Sequence, residues 1–220
     1  MEKFTCPSFY RNNYMGVNDE VTAGDPQTDP KALAMMAYDP SPSIREAIAS
    51  NPSTPSLVFD VLVKDNLEIR RALSSNIALV EPFITHLILD NDDPYIIYAL
   101  ANNPALESDH LRTLSEKFAY LELALIGNAK SPEDVLRNLY ILAIEKRLQD
   151  ENSSPEFTEK VELFISNPST PLDILAKIAL DNPQYQKKIV ENVIFVYPIF
   201  QNMSHEDILT TMTRRVTPIY

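Results

Sequence analysis

The sequence predicts an all-α protein built from stacked helical repeats. The motif Asn-Pro-Ser-Thr-Pro occurs at residues 51–55 and again at residues 167–171, and an apolar helical run follows each copy. Weaker copies begin at Asn76, Asn103 and Asn128. The 220 residues include 17 prolines and only 3 glycines, a balance that favours helices interrupted by proline over glycine-turned hairpins. Because each copy can bury its apolar face only against its neighbours, the pattern predicts an α-solenoid.

The spacing of the repeats sets the expected domain organisation. The reference asparagines from Asn51 to Asn128 recur at a nearly constant interval, while the interval from Asn128 to Asn167 is longer and places an insertion at about 140–157. A last, weakly preserved reference point is Asn192. We therefore expect about five to six helix-pair repeats of about 25 residues over 31–200. Residues 1–30 are expected to form an N-terminal extension or cap, and 201–220 a capping helix, beginning at Ser204, and a tail.

Each reference asparagine separates two predicted helices. The predicted core of the upstream helix, helix A, consists of Ile44, Ala47 and Ile48; Ile69, Ala72 and Leu73; Ile96, Ala99 and Leu100; and Leu121, Ala124 and Leu125. The downstream helix, helix B, has apolar residues seven, eight and eleven positions after the asparagine, namely Val58, Phe59 and Leu62; Phe83, Ile84 and Leu87; Val135, Leu136 and Leu139; and Ile174, Leu175 and Ile178. These steps place each set on one helical face.

The motif itself predicts a hinge. Asparagine tolerates the left-handed conformation common just past a helix, and the following proline prevents helix A from continuing. Thr54-Pro55 and Thr170-Pro171 then predict an N-cap followed by proline at the first position of helix B. In a stack the asparagines would lie in register, where their side chains could bridge neighbouring turns. A structural role is therefore predicted for Asn51, Asn76, Asn103, Asn128 and Asn167.

These residues resemble the leucine-rich repeat variant family. The resemblance rests on Asn-Pro-x-Thr-Pro, the Leu-rich helix after it, and the apolar-Arg pairs Ile44-Arg45 and Ile69-Arg70, and it covers roughly residues 31–195. It implies a right-handed superhelix of α-helices alternating with short α- or 3₁₀-helices. Some members carry an N-terminal cysteine cluster that binds iron–sulfur, which this chain, with Cys6 alone, does not match. HEAT-like helical repeats are a close architectural neighbour.

Residues that could perform chemistry are sparse. His86, His110 and His205 are not spaced three or four residues apart and have no neighbouring cysteine, so metal ligation is not expected. Cys6 has no histidine near it in sequence and resembles an incidental thiol rather than a nucleophile. We expect no catalytic residue, no metal and no cofactor.

Departures from the repeat indicate a candidate binding surface. Asp65, Asp90 and Asp181 each occupy the same position after their reference asparagine, which predicts an acidic ridge that is densest at Asp90, Asp92 and Asp93. These acids could instead cap the helices that follow them. Tyr95 and Tyr120 occupy equivalent positions, with Tyr98 one turn beyond Tyr95. The tyrosines could form a protein-binding patch or pack between repeats with only the hydroxyl exposed.

Charge narrows the expected partners. The formal net charge of −12 opposes a sequence-independent grip on nucleic acid and favours a protein with a basic surface. We therefore expect a non-enzymatic protein-binding module that acts in the cytoplasm, binds neither nucleic acid nor membrane directly, and has no apolar run of membrane-span length. One alternative is an acidic inhibitor that mimics nucleic acid, as in phage counter-defence. Another is a helical-repeat enzyme acting on nucleic acid, which the charge and the absence of tryptophan disfavour.

Overall fold

The computed structural model describes residues 19–89, 93–142 and 154–214. Within these ranges the regular elements are all helices, which confirms the predicted all-α class. None of the helices in these ranges is both long and apolar enough to cross a membrane. The chain forms two compact units, Met1–Leu106 and Glu107–Tyr220.

The described residues of the first unit contain four helices of type A and three of type B. Its helices are α1 (Asp19–Gly24), α2 (Pro30–Met36), α3 (Pro42–Ser50), α4 (Phe59–Leu62), α5 (Leu67–Ser74), α6 (Phe83–Leu89) and α7 (Pro94–Asn102), and a 3₁₀ turn at Ser56–Val58 leads into α4. The A helices α1, α3, α5 and α7 pack against one another in chain order. The isoleucines predicted to face the core, Ile48, Ile69 and Ile96, are fully buried.

The second unit continues the same alternation with more variation. Its helices are α8 (Ser108–Lys117), α9 (Glu122–Gly127), α10 (Glu133–Tyr140), α11 (Pro155–Ser166), α12 (Leu172–Asp181), α13 (Gln186–Val196) and α14 (His205–Thr213), with 3₁₀ turns at Ala119–Leu121, Pro183–Tyr185 and Pro198–Phe200. α9 packs on α11 and α11 on α13, while α12 contacts α14. Most of the predicted insertion, like the predicted tail, lies outside the described residues. Ser204 caps α14 as predicted, since its side chain accepts from the Asp207 N–H.

Buried asparagines join consecutive repeats in each unit. The Asn76 Nδ2 donates to the main-chain oxygens of Ala49, at 2.7 Å, and Asn51, at 2.9 Å, while its Oδ1 accepts from the Ala78 N–H at 2.8 Å. Three further asparagines make equivalent pairs of bonds of 2.6–3.0 Å: Asn51 to Ala23 and Asp25, Asn103 to Ser74 and Asn76, and Asn167 to Ile126 and Asn128. We call this series the asparagine ladder. It connects the orphan carbonyls at the end of one helix A to the next hinge.

The hinge geometry corrects two predictions. Asn51 has φ −76° and ψ 122°, an extended rather than a left-handed conformation, because a following proline restricts the residue before it to that region. Thr54 does not cap helix B: its hydroxyl donates to the Ile48 oxygen at 2.7 Å, and Pro55 takes the N-cap position. Ser131 and Thr170 bond in the same way to carbonyls six residues earlier. The buried hydroxyl thus donates to a main-chain carbonyl at the end of helix A, which at Ile48 also accepts from the Asn51 N–H.

A further repeat precedes the predicted start of the solenoid at residue 31. Asp25 lies one repeat length before Asn51, and its Oδ1 accepts from the Gln27 N–H at 2.9 Å, as the hinge asparagines do. The Thr28 hydroxyl donates to the Thr22 oxygen at 2.5 Å, the contact that Thr54 makes one repeat later. α1 and α2 are therefore the helices A and B of this repeat. An aspartate cannot donate to an earlier repeat, so the ladder of the described residues begins at Asp25.

The last reference point taken from the spacing, Asn192, was wrong. It lies in the middle of α13, and the helix continues through it. The helix ends at Val196, and the turn Tyr197-Pro198 follows. The last interval therefore runs from Asn167 to Tyr197 and is longer than the spacing of the earlier repeats predicts.

Replacing Asn103 by aspartate is expected to lower the free energy of unfolding by about 3 kcal/mol at pH 7, since it removes a buried donor and faces two carbonyl oxygens with a charge. The neighbouring Asn102→Asp change is the matched control, because that side chain is exposed, and it should cost less than about 1 kcal/mol. Urea unfolding of the two variants measures both values. Equal losses would show that the ladder does not stabilise the stack.

Candidate functional site

Two of the predicted tyrosines lie on the surface of the first unit. Tyr95 is 71% exposed and Tyr98 is 48% exposed, one turn apart on α7. The opposite side of this helix is fully buried through Ile96 and Leu100. The side chains therefore project from the stack rather than packing between repeats with only their hydroxyl groups in water.

Tyr95 is held in place by an ion pair beneath it. The Arg71 Cζ lies 4.7 Å from the Tyr95 ring centroid, within cation–π range. The guanidinium also donates to both carboxylate oxygens of Asp93, at 3.1 and 2.8 Å. Asp93 in turn caps α7 by accepting from the Ile96 N–H. These contacts link the exposed ring to the start of its own helix and to α5.

The described acids of the predicted ridge are largely engaged within the fold. The hydrogen bonds from Arg71 hold the pKa of Asp93 below its ordinary value. Burial raises the pKa of Asp65, but hydrogen bonds from Arg45 and Asn66 outweigh it and leave this pKa lowered. Arg45 also donates to the main-chain oxygen of Asp39 at 2.7 Å. Asp93 thus caps the helix that follows it, which was the alternative considered for the ridge, whereas Asp65 pairs with Arg45 and leaves the N-cap of α5 to Asn66.

Two ridge residues, Asp90 and Asp92, lie outside the described ranges, so their part in the ridge stays a prediction. Asp181 is exposed.

Tyr120 belongs to the second unit and has a different setting. It lies on the 3₁₀ turn Ala119–Leu121 rather than on an α-helix, and it is 54% exposed. Its ring packs on Phe118 with a centroid distance of 5.9 Å. The predicted juxtaposition of Tyr95 and Tyr120 stays a prediction, because the two residues belong to separate units.

Repeat positions identify further residues around the tyrosines. Glu68 occupies the position of Tyr95 one repeat earlier, and Glu46 occupies the position of Tyr98 two repeats earlier; both glutamates are exposed. Arg71 also occupies the Tyr98 position, in the repeat between. We call Glu46, Glu68, Arg71, Tyr95 and Tyr98 the tyrosine face. The sequence signal for Glu46, Glu68 and Arg71 is that they share repeat positions with the two tyrosines. Clustering of acids along the chain does not reveal this surface.

The second unit carries inter-repeat ion pairs along its B helices. The Arg137 Nη1 and Nη2 donate to the two carboxylate oxygens of Asp173 at 2.6 and 2.9 Å, linking α10 to α12. Arg112 of α8 binds Asp134 of α10 in the same bidentate manner. Hydrogen bonds from Arg137 lower the pKa of Asp173, although partial burial acts in the opposite direction. These pairs repeat with the helix spacing and hold neighbouring B helices in register.

The histidines that were considered as ligands are dispersed. The His110 Nδ1 accepts from the Glu107 N–H at 3.1 Å and so caps its own helix. His86 lies in α6, and His205 is the first residue of α14. Across the described part of the chain, no group of three or more histidine, cysteine, aspartate or glutamate side chains could hold a metal ion.

Comparison with known proteins finds no matching family model, no matching curated protein and no matching solved structure.

Asp173→Asn is expected to reduce the acid sensitivity of the second unit. The folded-state pKa lies below the unfolded value of about 3.9, so the pair stabilises the fold fully above about pH 5 and loses this effect as the pH falls through both values. The free energy of unfolding of the wild type should exceed that of the variant by about 1 kcal/mol at pH 7, and the two values should converge near pH 3. Asp109→Asn is the control, because that carboxylate is 94% exposed. A difference between wild type and Asp173→Asn that is independent of pH would contradict the assignment.

Proposed function

We propose that this chain is a non-enzymatic helical-repeat module that binds a protein with a basic surface through the tyrosine face. The observation that carries the proposal is the pair Tyr95 and Tyr98, exposed one turn apart on a helix whose other side is buried. Tyrosine is enriched at protein interfaces because it offers a large apolar area and a polar tip. Arg71 holds one ring beforehand, which lessens the entropy lost when a partner orders it.

The charge around the tyrosines supports a basic partner. Glu46 and Glu68 are exposed on the neighbouring A helices, and the chain has a formal net charge of −12. Such a field speeds the approach of a cationic surface at low salt. Lysine or arginine of the partner could also lie over the Tyr98 ring, whose π-face attracts cations.

A right-handed α-solenoid is the architecture we propose for the whole chain, with the leucine-rich repeat variant family as the one that its sequence pattern resembles. The recurrence of the hinge supports this proposal. The asparagine ladder has the same bonds in both units, and the further repeat at residues 19–36 follows the same construction. A stack of such repeats presents its A helices along one side, and repeat proteins bind partners along extended surfaces of this kind.

The two other functions considered from the sequence draw no support from the site. A mimic of nucleic acid needs free carboxylates spaced along a surface, whereas Asp65 and Asp93 are paired with arginines. An enzyme acting on nucleic acid needs a basic contact surface, whereas the tyrosine face carries two glutamates and one arginine. We therefore retain the protein-binding module as the proposed function.

Tyr95→Ala with Tyr98→Ala is expected to weaken partner binding by about 10- to 100-fold, as is typical when central aromatic residues are lost. Wild type and variant would each be immobilised and exposed to lysate of the native source. A protein that the wild type retains and the double variant loses would then be purified, and its Kd measured at low and physiological salt. Weaker binding at higher salt is the expected result for a basic partner.

Tyr38→Ala is the matched control for this experiment. Tyr38 lies in the same unit, is also exposed, and does not belong to the tyrosine face. Circular dichroism melts of all the variants check that they remain folded. Equal retention of every captured protein by the double variant and the wild type would refute the proposed site.

A further inference from the structure

Lys160 of α11 is a charged side chain in the apolar core of the second unit. It is only 3% exposed, and its Nζ donates to the Glu122 Oε2 on α9 at 2.5 Å and to the Glu156 Oε1 at 2.9 Å. Among the buried residues of the described ranges it is the only one with a charged side chain. Burial lowers the pKa of Lys160, but the bonds to Glu122 and Glu156 outweigh this effect and raise it, so the ammonium stays charged.

The repeat register makes this lysine an exception. Lys160 lies seven residues before Asn167, and the same position in the other repeats holds Ile44, Ile69, Ile96 or Leu121. A buried ion pair is seldom more stabilising than well-packed apolar side chains of similar volume. The lysine therefore calls for an explanation other than stability.

The chain connection that precedes α11 is also exceptional. In the second unit one residue separates α8 from its following 3₁₀ turn, and one residue separates α12 from the next. By contrast, the whole stretch 141–154 lies between Tyr140, the end of α10, and Pro155, the start of α11. A short connection leaves the next helix one place to dock. A connection as long as 141–154 reaches more docking positions, because the maximum span of a chain segment grows with its number of residues.

The apolar face of α11 does not by itself define one position. Phe157, Val161 and Ile165 are buried and spaced four residues apart, so a slide of one turn would place each of them near the site of the next. The same slide would carry Lys160 into the place of Phe164, away from Glu122. The ammonium would then keep only Glu156, which lies on its own helix, and the loss of Glu122 is unfavourable for a buried charge.

Asn167 also opposes this slide, but it does so at the far end of the helix. Its Nδ2 binds the main-chain oxygens of Ile126 and Asn128 at the hinge. Lys160 lies about 10 Å further toward the start of α11, at a rise of about 1.5 Å per residue. We propose that the cluster of Lys160, Glu122 and Glu156 selects where the first half of α11 docks on α9. In the neighbouring repeats the short connection performs this task.

Lys160→Met tests the proposal because it keeps the length of the side chain and removes the charge. The urea midpoint should stay within error of the wild type, since the other repeats carry apolar residues at this position. Hydrogen-exchange protection at the amides of Glu159 and Val161 should fall by about tenfold, while the amide of Asn167 stays protected. Lys188→Met is the control, because Lys188 of α13 pairs with Glu162 of α11 but is 45% exposed. This variant should change neither the urea midpoint nor the protection of α11.

Two results for Lys160→Met would overturn the proposal. Unchanged protection throughout α11 would show that the cluster selects nothing. A lower urea midpoint with uniform loss of protection along α11 would show that the cluster acts on stability instead.

A second variant keeps the test decisive if Lys160→Met does not fold. A flexible glycine- and serine-rich segment of about the same length as the connection would be inserted between Asn152 and Ser153 of the otherwise unchanged chain. If the cluster selects the docking position, α11 keeps its full protection in this variant, because the connection plays no part in that choice. Loss of protection confined to α11 would show that the connection positions the helix, and the proposal would fail.

Discussion

The stacking of the repeats depends on the buried primary amides of Asn51, Asn76, Asn103 and Asn167. An asparagine side chain offers both donors and an acceptor, and at Asn76 it uses its donors on two carbonyls of the preceding repeat and its acceptor on its own turn. A carboxylate lacks the donors, and an alanine would leave the carbonyls without partners. Asparagine is therefore required at this position because its side chain supplies both the donors and the acceptor that the end of helix A needs. Asp25, where the ladder of the described residues begins, is consistent with this requirement, since its carboxylate supplies only the acceptor and has no donor for an earlier repeat.

The register of the hinges made most of the fold predictable from the sequence. Periodic apolar positions mark the buried faces of the helices, and the recurring asparagine, which proline follows at Asn51, Asn103 and Asn167, marks where helix A ends. The errors were local. Thr54 donates backward to the Ile48 carbonyl instead of capping helix B, a competition that residue types alone do not settle. Asn192 shares the spacing but lies inside α13, so spacing alone did not identify a hinge.

The candidate site was harder to predict than the fold, because a binding surface and a structural ion pair use the same residue types. Asp65 and Asp93 both lie in connections between a helix B and the next helix A, and from the sequence these acids resemble a charged ridge. Three-dimensional pairing separates the roles, since both carboxylates face arginines from the preceding repeat. Tyr95 and Tyr98, by contrast, contribute nothing to the buried core and are exposed at positions where earlier repeats carry charge. Departure from the repeat is informative only once pairing within the fold has been accounted for.

The same reasoning distinguishes Lys160 from Tyr95. Both residues break the repeat pattern, but one does so in the core and the other on the surface. A polar substitution in a core must be compensated by the neighbours that face it, and Glu122 supplies that compensation on α9. A surface substitution needs no compensation within the fold, and Arg71 restricts the Tyr95 ring without hiding it. The exception in the core thus supports a proposal about how the helices are arranged, and the exception on the surface supports a proposal about what the chain binds.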